Sequence, residues 1–228
     1  MADDPQDDLN FVGFRRQLIE EIRERGIDDL EILHLFERVH RHAFLPQAMW
    51  PRAYEDAPIP IGFGQTASQP SLQALYLSIL KPRDDDVVLE IGTGSGYLTA
   101  LLAFTSDRVY SVERIRELSA RARRALDNLR LKNVALMVGD GTIGWKRYAP
   151  FDVVVVSAAS PSIPPALVDQ LSEDGRMLIP VGTRDSQKLV HVCREDGQVK
   201  EETIQGECRF VPLLGRFAWA VEDLEEKT

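Results

Sequence analysis

The feature that most restricts the fold lies at residues 90–97, Glu90-Ile91-Gly92-Thr93-Gly94-Ser95-Gly96-Tyr97, a glycine-rich turn between the apolar run Val87-Val88-Leu89 and a second apolar run over 98–104. A strand, a tight loop and a helix in that succession are how α/β folds bring backbone close to a nucleotide-like ligand. The spacing narrows the ligand. A dinucleotide loop of the form G-x-G-x-x-G would need a glycine at position 97, where Tyr97 stands, and Gly96 falls one residue early. Glu90 closes the strand, and a carboxylate there repels a pyrophosphate and attracts a cation. S-adenosylmethionine carries a sulfonium and an ammonium and no phosphate, so the charge logic favours a methyl donor over NAD.

Two further acids fit a donor site. The run 108–112 predicts the next strand, and Glu113 ends it about 20 residues past the first glycine, where a Rossmann-like fold places its ribose-binding acid. The run 134–138 leads into Gly139-Asp140-Gly141, where a strand-end Asp can accept a hydrogen bond from an adenine amino group. Any one of these acids would serve equally as a helix cap. Three at successive strand ends around one glycine loop favour ligand binding. Gly92, Gly94, Gly96 and Gly141 are expected to bring backbone against the donor, and Arg114 to lie over its ribose or adenine.

From residue 86 onward, strands and helices alternate: strand 87–91, helix 97–104, strand 108–112, helix 114–129, strands 134–138 and 151–157, helix 164–172 and strand 176–181. The pattern predicts a Rossmann-like α/β fold, with a mostly parallel sheet and helices on both faces. Before it come predicted helices over 11–25, stopped by Gly26, over 29–40 and over 71–80. Between the last two, residues 44–70 are rich in Pro and Gly, lack periodicity and carry apolar side chains, which marks a functional segment such as an active-site lid. Segments 188–194, 199–205 and 207–210 look like antiparallel strands turned at Asp196-Gly197. The resulting division is 1–80 for N-terminal helices and lid within the same domain, 81–183 for the donor-binding core, and 184–228 for a β extension with an acidic tail.

Length and charge set outer limits. At 228 residues the chain suits one large domain, and a net charge of −9 argues against a nucleic-acid partner. Acids cluster at residues 3–8 and 222–226, expected to be solvated ends. Two cysteines, Cys193 and Cys208, are too few for a disulfide framework, and no leader or membrane span is legible, so a cytoplasmic protein is expected. His34, His40, His42 and His191 are scattered, with no ligand spacing, and no metal is expected.

Much of the chain resembles the protein-L-isoaspartate O-methyltransferase family. The likeness rests on 25–27 (RGI), 39–46 (VHRHAFLP), 53–56 (AYED), 60–62 (PIG), 64–70 (GQTASQP), the glycine loop 90–97, 110–114 (YSVER), 139–141 (GDG), 149–152 (APFD) and 209–213 (RFVPL). The loop is common to many methyltransferases; GQTASQP and RFVPL are far more specific. Ala67 departs from a larger aliphatic residue and His40 from a proline, changing packing beside the donor and one helix end respectively.

The resemblance implies transfer of a methyl group from S-adenosylmethionine to the α-carboxyl of isoaspartyl residues in aged proteins or peptides, a repair reaction leaving S-adenosylhomocysteine. It implies that Ser68 is catalytic, its hydroxyl holding the substrate carboxylate. Gln65, Thr66 and Ala67 would touch the donor, and Thr66, Ser68, Phe210, Val211 and Pro212 the substrate. A carboxylate is already ionised at pH 7, so the chemistry asks for placement rather than a base. Arg41 and His42 precede the lid and can anchor it. A monomer without membrane or nucleic-acid partners is expected. Two rivals remain: a methyltransferase of the same fold esterifying another carboxylate, such as normal aspartate, and a donor-binding module without turnover.

Overall fold

The computed structural model describes residues 5–220, with the side chains of 5–10 and 205–207 left out, so Asp3, Asp4 and the acids at 222–226 lie outside the described residues. Seven strands form the central sheet: β3 (Val87–Ile91), β4 (Arg108–Glu113), β5 (Val134–Val138), β6 (Phe151–Val156), β7 (Leu171–Gly182), β8 (Gln187–Glu195) and β9 (Gln198–Cys208). Their order is β5-β4-β3-β6-β7-β8-β9. Pairings from β5 to β7 are parallel, and those of β7 with β8 and β8 with β9 are antiparallel. The chain leaves β3 toward β4 on one side and later returns to β6 on the other. Between β3 and β6 the crossovers diverge, opening a crevice at the carboxyl ends of the strands.

The period-two alternation of side chains builds two cores at once. Val88, Val109, Val153 and Val155 face one way, packing with Leu101 of α4 (Tyr97–Ala103), Leu126 of α5 (Arg116–Asn128) and the N-terminal helices. Leu89, Ile91, Tyr110, Val154 and Val156 face the other, against Phe151, Leu167 and Leu213. Strands apolar on both faces are the signature of a buried parallel sheet.

α1 (Pro5–Glu24), α2 (Leu30–Arg38) and α3 (Pro70–Leu80) match the predicted helices closely, with α1 extending further toward the N-terminus. Asp29 caps α2, accepting hydrogen bonds from the Glu31 and Ile32 amides. Two expectations give way. Helix 164–172 shrinks to one turn, α6 (Pro165–Val168), because Leu171 already pairs with Phe151 and β7 starts there, five residues ahead of the expected strand. Segments 199–205 and 207–210 merge into β9, and Phe210 lies beyond it.

Residues 44–70 are more ordered than their composition suggests. They follow 3₁₀ turns through Arg41–Phe44 and Gln47–Arg52 into a hairpin, β1 (Ile59–Gly62) and β2 (Gln65–Ala67). Arg41, fully buried, organises them. Its Nη1 donates to the carbonyls of Ala53 and Glu55, and its Nη2 to those of Ala57 and Ser68, at 3.0–3.1 Å. Burial pulls its guanidinium down to about 10, which leaves it charged at neutral pH. Asp56 works from the other side: it accepts from the Ser71 amide and from Gln69 Nε2 at 2.8 Å, and pairs with Arg25 at 2.7 Å. It thereby supplies the start of α3 with a cap that the local sequence lacks. His42 Nδ1 lies 2.8 Å from the Tyr54 hydroxyl, with Phe11 stacked on its ring. His40 has φ −74°, a value proline also adopts.

Candidate functional site

At the carboxyl ends of β3, β4 and β6 the crevice becomes a cavity of about 350 Å³. The glycine loop forms its floor. Gly92 has φ 92° and Gly94 φ 54°, left-handed values that glycine adopts without strain. Glu113 projects from the end of β4 into the cavity wall; its Oε2 accepts from the Gly94 amide and its Oε1 from the Ile115 amide, both at 2.9 Å. Each oxygen keeps a lone pair for a further donor. A ribose diol supplies two such donors, so the residues present fit an adenosyl group.

The roof comes from elsewhere in the chain. Gln65, Thr66, Ala67 and Ser68 arrive on β2 and the turn after it, and Val211 and Pro212 come from beyond β9. The hairpin is tied to α5 by Arg121, whose Nη1 donates to the Ile61 carbonyl at 3.1 Å. Residues after β9 are held against the β6 end: the Ala159 amide donates to the Val211 carbonyl at 2.8 Å, and the Leu213 amide to the Ala159 carbonyl at 2.6 Å. Arg114 and Gly141 complete the set of expected residues that line the cavity.

Three of the expected donor contacts are set back from it. Glu90 is fully buried beneath the loop, its Oε2 accepting hydrogen bonds from Thr99 and Ser111 at 2.6 Å, with Thr93 bonded to Ser111 in turn. Burial pushes its carboxyl up to about 7, against the opposing pull of those hydroxyls. It buttresses the loop from beneath. Gly96, at φ 88°, serves helix packing: a Cβ there would stand 3.0 Å from that of Ala122 on α5. Asp140 acts as a clasp. Its Oδ1 accepts from the amide and hydroxyl of Thr142, and its Oδ2 from the Arg216 amide.

A second cleft, about 580 Å³, opens beside the cavity. Phe210 and Val211 form part of its wall with Leu72, Leu75 and Ile27, and Arg209 is at its rim. Thr66, Ser68 and Val211 belong to both spaces, and so does Ser157, which sequence reasoning passed over. Pro212 lines only the first. Among the described residues no group of three or more His, Cys, Asp or Glu is placed to hold a metal ion.

Comparison with known proteins agrees with this architecture. The family model for protein-L-isoaspartate(D-aspartate) O-methyltransferase matches residues 14–218. A protein-L-isoaspartate O-methyltransferase of Geobacter metallireducens is 46% identical over 94% of this chain and all of its own length. One from Geotalea uraniireducens is 48% identical with the same coverage. A solved protein-L-isoaspartate O-methyltransferase superposes with a TM-score of 0.80 at 28% identity, covering 90% of this chain and 67% of that one. A Plasmodium falciparum protein assigned to the same class, in complex with S-adenosyl-L-homocysteine, superposes at 0.76 with 26% identity, covering 88% of this chain and 98% of its own. The chain belongs to the protein-L-isoaspartate(D-aspartate) O-methyltransferase family.

Proposed function

We propose that this protein methylates the α-carboxyl of L-isoaspartyl residues in damaged proteins and peptides, using S-adenosylmethionine. The observation that carries the reading is the pair of adjoining spaces joined at Ser68: an adenosyl-sized cavity on the glycine loop and a larger cleft of mixed polar and apolar lining beside it. Bound S-adenosylmethionine supplies a methyl group on positively charged sulfur; a carboxylate oxygen bonds to that carbon as the carbon–sulfur bond breaks, the electron pair stays on sulfur, and no proton moves.

The residues of the chain supply position. Glu113 offers free lone pairs to the ribose hydroxyls, and Gly92 and Gly94 let the backbone come close. The Ser68 hydroxyl, which no described group engages, donates to the substrate carboxylate and turns it toward the methyl carbon. Placement of the reactants as a whole can be worth roughly 7–11 kcal/mol, of which one positioned hydrogen bond supplies a few. The hairpin roof excludes water from a reactive electrophile.

Protein repair in the cytoplasm by a monomer suits the molecule. Both cysteines are free thiols. Among the described residues no helix is long and apolar enough to cross a membrane. The deciding experiment offers labelled donor with an isoaspartyl peptide and its aspartyl twin. Transfer to the isoaspartyl form alone is expected. Equal transfer to both would favour a methyltransferase that also esterifies normal aspartate, and none to either would leave a donor-binding module.

A further inference from the structure

The donor cavity and the peptide cleft meet at a neck, and four residues line both: Thr66, Ser68, Ser157 and Val211. Two of its three hydroxyls, those of Thr66 and Ser68, approach on the hairpin side. The third, Ser157, approaches from the sheet, one residue past the end of β6. Its backbone is firmly placed: the Ser157 amide donates to the Ile91 carbonyl at 2.9 Å, carrying the parallel register of β3 and β6 one step beyond the strands. Gly92, at φ 92°, lies against it: a Cβ built there would stand in ordinary contact with the Ser157 Cβ, at 3.5 Å. Ser157 thus stands in the crevice between β3 and β6, where the crossovers diverge. No described group makes a hydrogen bond to its hydroxyl.

Resting on the methyl-transfer reading above, we infer that the Ser157 hydroxyl is a second hydrogen-bond donor to the substrate carboxylate, acting from the wall opposite Ser68. A carboxylate held by one donor still turns about the bond to its carbon. Donors on two facing walls stop that rotation, so that one oxygen is held while the other keeps a lone pair aimed at the methyl carbon. The proton stays on the serine oxygen throughout, because a carboxylate is a far weaker base than an alkoxide. Both serines have fixed mounts, Ser157 through its amide on β3 and Ser68 through its carbonyl on Arg41, so the two donors are placed before the substrate arrives.

The test compares Ser157→Ala, Ser157→Cys and Ser157→Thr with the parent. Three quantities are read: affinity for S-adenosylhomocysteine by calorimetry, affinity of a labelled isoaspartyl peptide for the protein saturated with that product, and turnover at saturating peptide. Loss of one hydrogen bond to a charged group predicts that Ser157→Ala binds peptide about tenfold more weakly and turns over about tenfold more slowly. Affinity for S-adenosylhomocysteine should stay within twofold. Cysteine, a weak donor of similar size, should behave like alanine, and threonine should recover most of the loss. The inference is overturned if alanine matches the parent within twofold in peptide binding and turnover, if threonine fails as badly as alanine, or if donor-product affinity falls while peptide affinity holds. The ratio of variant to parent judges Ser157. The parent's own preference for isoaspartyl over aspartyl peptide judges the methyl-transfer reading, and a parent that neither binds nor methylates the peptide overturns both.

Discussion

At the scale of single residues, the proposed chemistry turns on one hydroxyl shared by the cavity and the cleft beside it. Ser68 stands out within GQTASQP, and the structure puts it at the meeting point of two cavities. Ser68→Ala is expected to keep affinity for S-adenosylhomocysteine and to lose turnover about 10- to 1000-fold, the range for one positioned hydrogen bond. Turnover within twofold of the parent, at saturating peptide, would return Ser68 to an ordinary turn serine. Ser157 follows four valines and carries no local mark of function, which is why sequence reasoning passed it by. Glu90 was legible as a strand-end acid, but not as a buried one, because the hydroxyls that surround it come from three separate elements. Its burial has a consequence for stability. With a folded pKa near 7 and an unfolded one near 4.5, the native state holds the extra proton between those values. Stability from this group is then full below the unfolded value and falls as pH rises toward 7, by about 3 kcal/mol in all. Glu90→Gln keeps an acceptor for Thr99 and Ser111 without a charge to bury. It should therefore unfold at higher denaturant than the parent at pH 8 and show little advantage at pH 5. An equal difference at both pH values would mean that Glu90 does not titrate in this window.

At the scale of elements, β3 and β6 were readable because a central strand buried on both faces shows as a short, nearly unbroken apolar run, and few other structures tolerate one. The path of residues 44–70 was not, since the contacts that shape it span long stretches of chain: Arg41 reaches Ser68 across 27 positions, and Asp56 reaches Ser71 across 15. Prolines at 46, 51, 58 and 60 break any period before it becomes visible. The shortened α6 has a similar cause, because pairing with Phe151 recruits Leu171 into the sheet against the local helical pattern. Since Arg41 holds the body of the lid, motion should be confined to the hairpin tip, where Gly62, Phe63 and Gly64 all have positive φ and Phe63 is half exposed. Chymotrypsin should cut the parent first near Phe63, and S-adenosylhomocysteine should suppress that cut. Arg41→Lys keeps the charge, but one ammonium cannot span four carbonyls. This variant should be destabilised by about 2–4 kcal/mol, as when a buried charged network is broken, and should be cut throughout the lid. Unchanged stability together with an unchanged cleavage pattern would dismiss Arg41 as the organiser.

At the scale of the whole molecule, the donor cavity joins segments remote in sequence: the hairpin ahead of the sheet, the glycine loop within it, and residues 211–214 beyond its last strand. The resemblance put the first two around the donor and residues 210–212 on the substrate; that 211–214 also line the donor cavity follows from the sheet order, which places β3 beside β6 and lets the chain after β9 return to Ala159. A ligand filling that chamber touches parts of the fold that would otherwise open independently, so its binding should be felt in global unfolding. S-adenosylhomocysteine at about 100 times its dissociation constant should add about 2.7 kcal/mol, which for a chain of this size means a rise in Tm of roughly 5–10 °C. NAD at the same concentration should give no shift, since the Glu113 carboxylate already accepts from the Gly94 amide and would repel a pyrophosphate brought to that loop. Differential scanning calorimetry over a concentration series separates specific binding from a general solute effect, because the shift must grow with the logarithm of ligand concentration once the site is filled. The Glu113→Ala variant supplies the control within the same experiment: without the acceptor for the ribose hydroxyls, its shift at the same ligand concentration should fall to less than half. A parent Tm that S-adenosylhomocysteine leaves unmoved, or that NAD raises equally, would show that the chamber is not a donor site.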